Sequence, residues 1–176
     1  MKLFKRLDDF GDSKLTLKRN QGRDAFWFRL SKSADHSFIW FLLGLIKYAF
    51  DRDTKQLIVF IVVMASESTL TNGPIKYIFK RKRPYENEKL FDDSKKLPFN
   101  MRRPKTSSFP SGHATAGICA AILLGINEPF LYLGLIPLGI MVGYSRMYTR
   151  MHHLSDILAG FILGLAYGLL AINVIY

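Results

Sequence analysis

Residues 157–176 run for 20 positions without a charged side chain, and residues 129–145 give a second uncharged run of 17. A helix rises about 1.5 Å per residue and the bilayer core is about 30 Å thick, so apolar runs near this length read as membrane spans. In lipid, every backbone N–H and C=O must be paired inside the element, which leaves helices or closed barrels. These runs are too long and unbroken for barrel strands. A soluble globular domain and a disordered basic tail are both excluded. The expectation is an all-α, integral membrane bundle of about five transmembrane helices, preceded by N-terminal interfacial helices.

The spans are placed at residues 37–50, 56–79, 112–126, 130–148 (bent at Pro137) and from residue 154 onward. With 176 residues, they form a single membrane-embedded domain over residues 36–176, after a basic amphipathic segment at residues 1–35. That segment sets Leu3, Phe4, Leu7, Phe10, Leu15 and Leu17 against Lys and Arg, the pattern of helices lying in the bilayer interface. Asp8, Asp9 and Asp12 stand where a signal peptide needs its apolar core, so no cleaved signal is expected. Residues 80–105, with Pro84, Pro98 and Pro104, form a long polar loop. A lone cysteine, Cys119, excludes a disulfide framework and any zinc site built on several cysteines. The net charge of +11 invites a nucleic-acid reading, but the cations flank the membrane and leave no surface for a groove.

Polar residues gather where three span ends share one side of the membrane. Lys76 and Arg83 are seven residues apart, two helical turns and one face, and Pro84 stops that helix. Ser111 is a natural N-cap for span three, and Gly112 lets an anion approach backbone N–H groups favoured by the helix dipole. His152 and Asp156 are an i, i+4 pair, which lets the carboxylate accept from one imidazole nitrogen and frees the other. His153 is also within reach of Asp156, so helix geometry leaves two candidate histidines. Fixed cations, a helix N-terminus, two histidines and a carboxylate suit phosphoryl transfer, in which charge is spread over several donors. His152 can attack phosphorus, and His113 can protonate the leaving oxygen and then activate water.

The arrangement resembles the type 2 phosphatidic acid phosphatase family. Lys76 with Arg83-Pro84 fills K-x6-R-P, Pro110-Ser111-Gly112-His113 fills P-S-G-H, and Ser145-Arg146 with His152 and Asp156 fills S-R-x5-H-x3-D. The resemblance implies dephosphorylation of a lipid phosphate without metal or cofactor, through a phosphohistidine. It implies Lys76, Arg83, Ser111, Gly112, His113 and Arg146 around the phosphate. Its spacing selects His152 over His153. The implied partners are the lipid phosphate and membrane lipids: phosphatidate, phosphatidylglycerophosphate, or a polyprenyl phosphate or diphosphate. The implied place is a bacterial or archaeal plasma membrane.

Lys80, Arg81 and Lys82 are expected to meet lipid phosphates or solvent, Tyr144 and Tyr148 to join an interfacial belt, and buried Glu67 to be protonated or paired. A zinc site at His113, His152, His153 and Asp156 is disfavoured by Lys76, Arg83 and Arg146, which repel a divalent cation. A non-catalytic anionic-lipid binder would have no use for an imidazole–carboxylate pair. Of the 25 Lys and Arg, 22 lie on the face of the motifs and only Lys47, Arg52 and Lys55 on the other, so the positive-inside rule puts the site in the cytoplasm. The competing role, recycling undecaprenyl diphosphate, needs an outward-facing site.

Overall fold

The computed structural model describes residues 2–15, 18, 20–86 and 104–175, and among these the regular secondary structure is helical throughout. Eight α-helices run in the order α1 (Lys2–Phe10), α2 (Gln21–Ser33), α3 (Phe38–Asp51), α4 (Thr54–Leu70), α5 (Lys76–Ile78), α6 (Gly112–Gly125), α7 (Tyr132–Tyr148) and α8 (Leu154–Ile175). Each of the five expected spans holds one long helix. Among the described residues, three stretches have the length and composition to cross a membrane: Thr54–Ile78, Pro129–Tyr148 and Leu154–Asn173. The helices α3 and α6 have 14 residues each, about 21 Å of rise. Pro137 is accommodated within α7 without ending it.

The central helix is α6, in which 11 of 14 residues are buried, most of them small. Such a helix has no lipid face and must be enclosed by its neighbours. The enclosure is made by glycine. A Cβ placed on Gly160 would lie 2.7 Å from the Ser111 carbonyl oxygen, and one on Gly164 would lie 2.4 Å from that of Thr115. On Gly168 it would meet Ile122 at 2.8 Å. The pairing advances along both chains together, so α8 and α6 run parallel with their N-termini at the same end. Small residues four apart allow this backbone contact, the usual means of joining helices where lipid provides no hydrophobic drive. Gly117 and Gly139 bring α7 against α6 in the same way. Gln56 joins α4 by donating from Nε2 to the Leu123 carbonyl at 3.0 Å. Outside this core, Leu42, Ile58, Val62, Leu133, Ile162 and Leu170 face outward, as lipid-facing positions do.

The second span departs from the expected helix. Gly73 has non-helical angles and Pro74 has no N–H to donate, so Thr71–Ile75 widens into a π turn and α5 ends at Ile78. Arg83 therefore lies beyond the helix, and the shared helical face expected for Lys76 and Arg83 does not exist. The two N-terminal helices are present, but Tyr144 and Tyr148 dock them and do not line a membrane belt. The Tyr148 hydroxyl donates to Asp24 at 2.6 Å, that of Tyr144 to the Leu15 carbonyl at 2.8 Å, and Trp27 packs edge-on against Tyr144.

Replacing Gly164 by alanine should lower the midpoint of thermal unfolding in detergent, because overpacking a close contact costs about 1–3 kcal/mol. Gly134, with nothing within 4 Å of its Cβ position, should accept alanine without loss.

Candidate functional site

A cavity of about 580 Å³ opens where the N-termini of α6 and α8 meet the end of α7, and Lys76, Arg83, Gly112, His113, Arg146 and His152 all line it. The three sequence clusters are thereby brought together. Lys76 is 9% exposed, Arg83 2%, Arg146 6% and His152 3%, so the cations are buried and held by fixed partners. Lys76 Nζ donates to Asn72 Oδ1 at 2.8 Å, and Asn72 in turn abuts Gly112, where a Cβ would lie 2.7 Å from that same oxygen. The Arg83 guanidinium is pinned by the carbonyls of Thr106 at 3.0 Å, Met151 at 3.0 Å and Ser107 at 3.1 Å. Arg146 Nη1 donates to Ser31 Oγ at 2.5 Å, while its Nε is buried with no partner. Burying several like charges in one place is costly unless each is hydrogen-bonded. A cage of this kind is suited to an anion.

Ser111 occupies the N-cap of α6 by its backbone, with φ −80° and ψ 107°, but its side chain makes no capping bond. Its Oγ is buried and unpartnered. The expected cap is thus corrected: the hydroxyl is left free beside the helix N-terminus instead of being consumed there. Ser111 N donates to the Asp156 carbonyl at 3.0 Å, which ties the starts of α6 and α8 together.

His152 also differs from expectation. Its Nδ1 is 2.6 Å from the Ser108 carbonyl and 3.7 Å from Asp156 Oδ2, so the hydrogen bond goes to the carbonyl and the carboxylate is an electrostatic neighbour. A carbonyl can only accept, so Nδ1 carries the proton and Nε2 has its lone pair, 3.4 Å from Arg83 Nη1. Burial pushes the His152 imidazole down to about 3, with Arg83 and Arg146 acting the same way against Asp156. Its neighbour His153 is absent from the cavity lining, although its backbone N–H donates to Asp156 Oδ2 at 2.9 Å.

Three site residues escaped the sequence reading. Asn72 positions Lys76. Asp35, between α2 and α3, places Oδ1 3.1 Å from His113 Nε2 at the cavity mouth, followed by His36 and Ser37 with φ of 52° and 61°. Left-handed backbone at two successive non-glycine residues costs of order 1–3 kcal/mol each and is held only where the surroundings enforce it. Arg81, expected to meet lipid or solvent, instead donates to Asp156 Oδ1 at 2.5 Å. Asp35 and Arg81 belong to no spacing pattern, whereas Asn72 stands four residues before Lys76, an i, i+4 spacing that was the available signal. Glu67 lines the deeper wall, 1% exposed, with both carboxylate oxygens lacking hydrogen-bond partners. Arg102 and Arg103, expected with Lys105 to form a basic loop that either gathers an anionic substrate or is solvated, lie outside the described residues.

The fold and this cavity define a helical membrane protein with buried cations gathered around a buried histidine. The PAP2 superfamily matches residues 55–176, and the chain belongs to that family. It is 27% identical over 131 residues to an undecaprenyl-diphosphatase of Sulfolobus acidocaldarius, covering 72% of this chain and 59% of that one. It is 29% identical over 141 residues to a decaprenylphosphoryl-5-phosphoribose phosphatase of Mycobacterium tuberculosis, covering 79% and 73%. The chain thus spans less than two thirds of the first relative's length. Among solved structures, LpxE of Aquifex aeolicus superposes with a TM-score of 0.70 at 20% identity, over 98% of this chain and 93% of that one. A transmembrane PAP2-type phosphatidylglycerolphosphate phosphatase from Bacillus subtilis gives 0.68 at 20% identity, over 98% and 92%. The family expected from the three motifs is the family found.

The depressed His152 value has a thermodynamic consequence. Between pH 6.5 and about 3 the unfolded chain binds a proton at this residue that the folded one does not, so stability falls as pH falls through that window. Acidification from pH 7 to 5 should cost about 2 kcal/mol through this group alone. His152→Gln, which does not titrate, should show a correspondingly smaller drop in unfolding midpoint.

Proposed function

We propose that this chain is a membrane-embedded phosphatase that cleaves the phosphomonoester or diphosphate of a lipid through a phosphohistidine on His152. The observation that carries the reading is the unprotonated Nε2 of His152, 3.4 Å from Arg83 Nη1, in a cavity shared with Lys76, Arg83, Arg146 and His113. Nε2 attacks phosphorus and the bond to the leaving oxygen breaks, with His113 supplying the proton. His113 then removes a proton from water, which attacks the phosphohistidine and releases phosphate. Lys76, Arg83, Arg146, the Ser111 hydroxyl and the backbone at Gly112 hold the non-bridging oxygens, donors already in place before charge develops. Asp156 compensates the charge that His152 gains. Asp35 holds His113 until the leaving oxygen takes its place. No metal or cofactor enters these steps.

The substrate class is an anionic lipid whose chain stays in the bilayer while its headgroup enters between helices. The names of the relatives favour polyprenyl-linked phosphates, and a 69-residue match at 38% identity to phosphatidylglycerophosphatase B of Bacillus subtilis keeps phosphatidylglycerophosphate beside them. A phosphate-release assay with purified protein across phosphatidate, phosphatidylglycerophosphate and undecaprenyl diphosphate assigns it. The archaeal and bacterial relatives favour a prokaryotic plasma membrane, and the charge distribution favours a site on its cytoplasmic face. The resemblance to an undecaprenyl-diphosphatase favours the outward-facing alternative.

Activity should survive EDTA and be inhibited by vanadate; loss on chelation with recovery on zinc would refute the phosphohistidine. His152→Ala and His113→Ala should each abolish turnover, on the order of 10⁴-fold for the nucleophile, and His153→Ala should retain most of it. A phosphoenzyme trapped in the unaltered protein should be missing from His152→Ala.

Orientation has its own test. The native Cys119 is fully buried, so a cysteine at the exposed Lys105 gives a single reactive thiol. It should resist membrane-impermeant reagents in intact cells, and rapid labelling would reverse the assignment.

A further inference from the structure

Beside the cavity, α1 reaches the carboxylate that stands behind His152. Asp8 Oδ1 accepts from the Ser155 backbone N–H at 3.1 Å and from its hydroxyl at 2.7 Å, which caps the start of α8. Asp8 Oδ2 accepts from Arg81 Nη2, and Arg81 Nη1 reaches both Ser155 Oγ at 2.7 Å and Asp156 Oδ1 at 2.5 Å. The side chains are 12% exposed for Asp8, 26% for Arg81 and 0% for Asp156. Apolar contacts fix the approach. Phe4 packs edge-on against Phe109 with centroids 6.0 Å apart, Arg81 lies over the Phe4 ring, and Gly11 sits so close to Leu154 that a Cβ would fall 2.8 Å from its Cβ. Arg81 is not among the residues lining the cavity.

We propose that Asp8 and Arg81 form a clamp that fixes the Asp156 carboxylate behind His152, so that α1 is a working part of the site and Arg81 a positioning residue. Asp156 has two oxygens and both are assigned: Oδ1 to Arg81, Oδ2 to the His153 backbone N–H and the edge of His152. Without Arg81, Oδ1 is buried with no donor, and the carboxylate must turn to find one. A turn of that size moves the charge that accompanies attack, and misplacement of a reacting group by about 1 Å can cost roughly 10²-fold in rate. Asp8 acts one step further out, because a guanidinium bridging two carboxylates is held in plane by both.

The inference rests on His152 as nucleophile, and the experiment separates the two. Turnover of a short-chain lipid phosphate and competitive inhibition by inorganic phosphate are measured for Arg81→Ala, Arg81→Lys, Asp8→Asn, Lys82→Ala and His152→Ala. For Arg81→Ala, kcat should fall roughly 10- to 100-fold, while the phosphate inhibition constant stays within about twofold because the anion cage is untouched. Arg81→Lys should recover part of the loss. Asp8→Asn should lower kcat less, and add nothing when combined with Arg81→Ala. Lys82→Ala should behave as the unaltered protein. Full activity in Arg81→Ala beside a dead His152→Ala would overturn the clamp alone. Equal loss of kcat and phosphate affinity would also overturn it, by making Arg81 a structural or anion-binding residue. An active His152→Ala would instead sink the reading on which it rests.

Discussion

The backbone contact between α6 and α8 is the constraint on which the rest depends. Gly160, Gly164 and Gly168 remove the side chains that would hold the helices apart, and the two then share one register from Ser111 to Ile122. That register sets the N-terminus of α6 beside the loop that carries His152, and the Ser111–Asp156 backbone bond closes the junction. Close packing of this kind is stiff, because protein interiors transmit strain instead of absorbing it. The distance between the α6 N-terminus and His152 is therefore set by the glycines of α8.

On that frame the protein holds buried positive charge, which is unfavourable without compensation. The compensation comes mainly from dipoles. Arg83 rests on backbone carbonyls from two loops, Lys76 on an amide oxygen, Arg146 on a hydroxyl. Full carboxylate partners for these three are not seen among the described residues. A cation neutralised by carboxylates has little left for a phosphate; one solvated by dipoles keeps most of its field. The same field, together with burial, keeps His152 neutral and so able to act as a nucleophile.

The N-terminal helices contribute to the site from a direction that their composition conceals. Asp24, Ser31 and Asp35 reach Tyr148, Arg146 and His113, and Asp8 reaches Arg81. Each contact spans between 73 and 124 positions of sequence. These are polar links between an interfacial layer and a membrane core. They make the basic segment part of the cavity wall rather than a solvated appendage.

The sequence by itself determined the helical class, the five apolar segments, the family and most of the polar residues that meet at the cavity. It could do so because span length answers to bilayer thickness and because the residues within each motif are close together in the chain. Glycines recur every four positions at residues 160, 164 and 168, but only the fold shows that they meet α6. Only the tertiary structure decided what each polar atom is bonded to. The helix is interrupted at Gly73-Pro74 and ends at Ile78, before Arg83, so helical periodicity could not place that guanidinium. The His152 Nδ1 proton goes to a carbonyl 44 residues away instead of to the carboxylate four residues on. Asp35 and Arg81 look like ordinary polar residues until the fold brings a histidine or a carboxylate to them. Periodicity reports which face a residue occupies; a hydrogen bond depends on atoms that meet only when distant segments pack together.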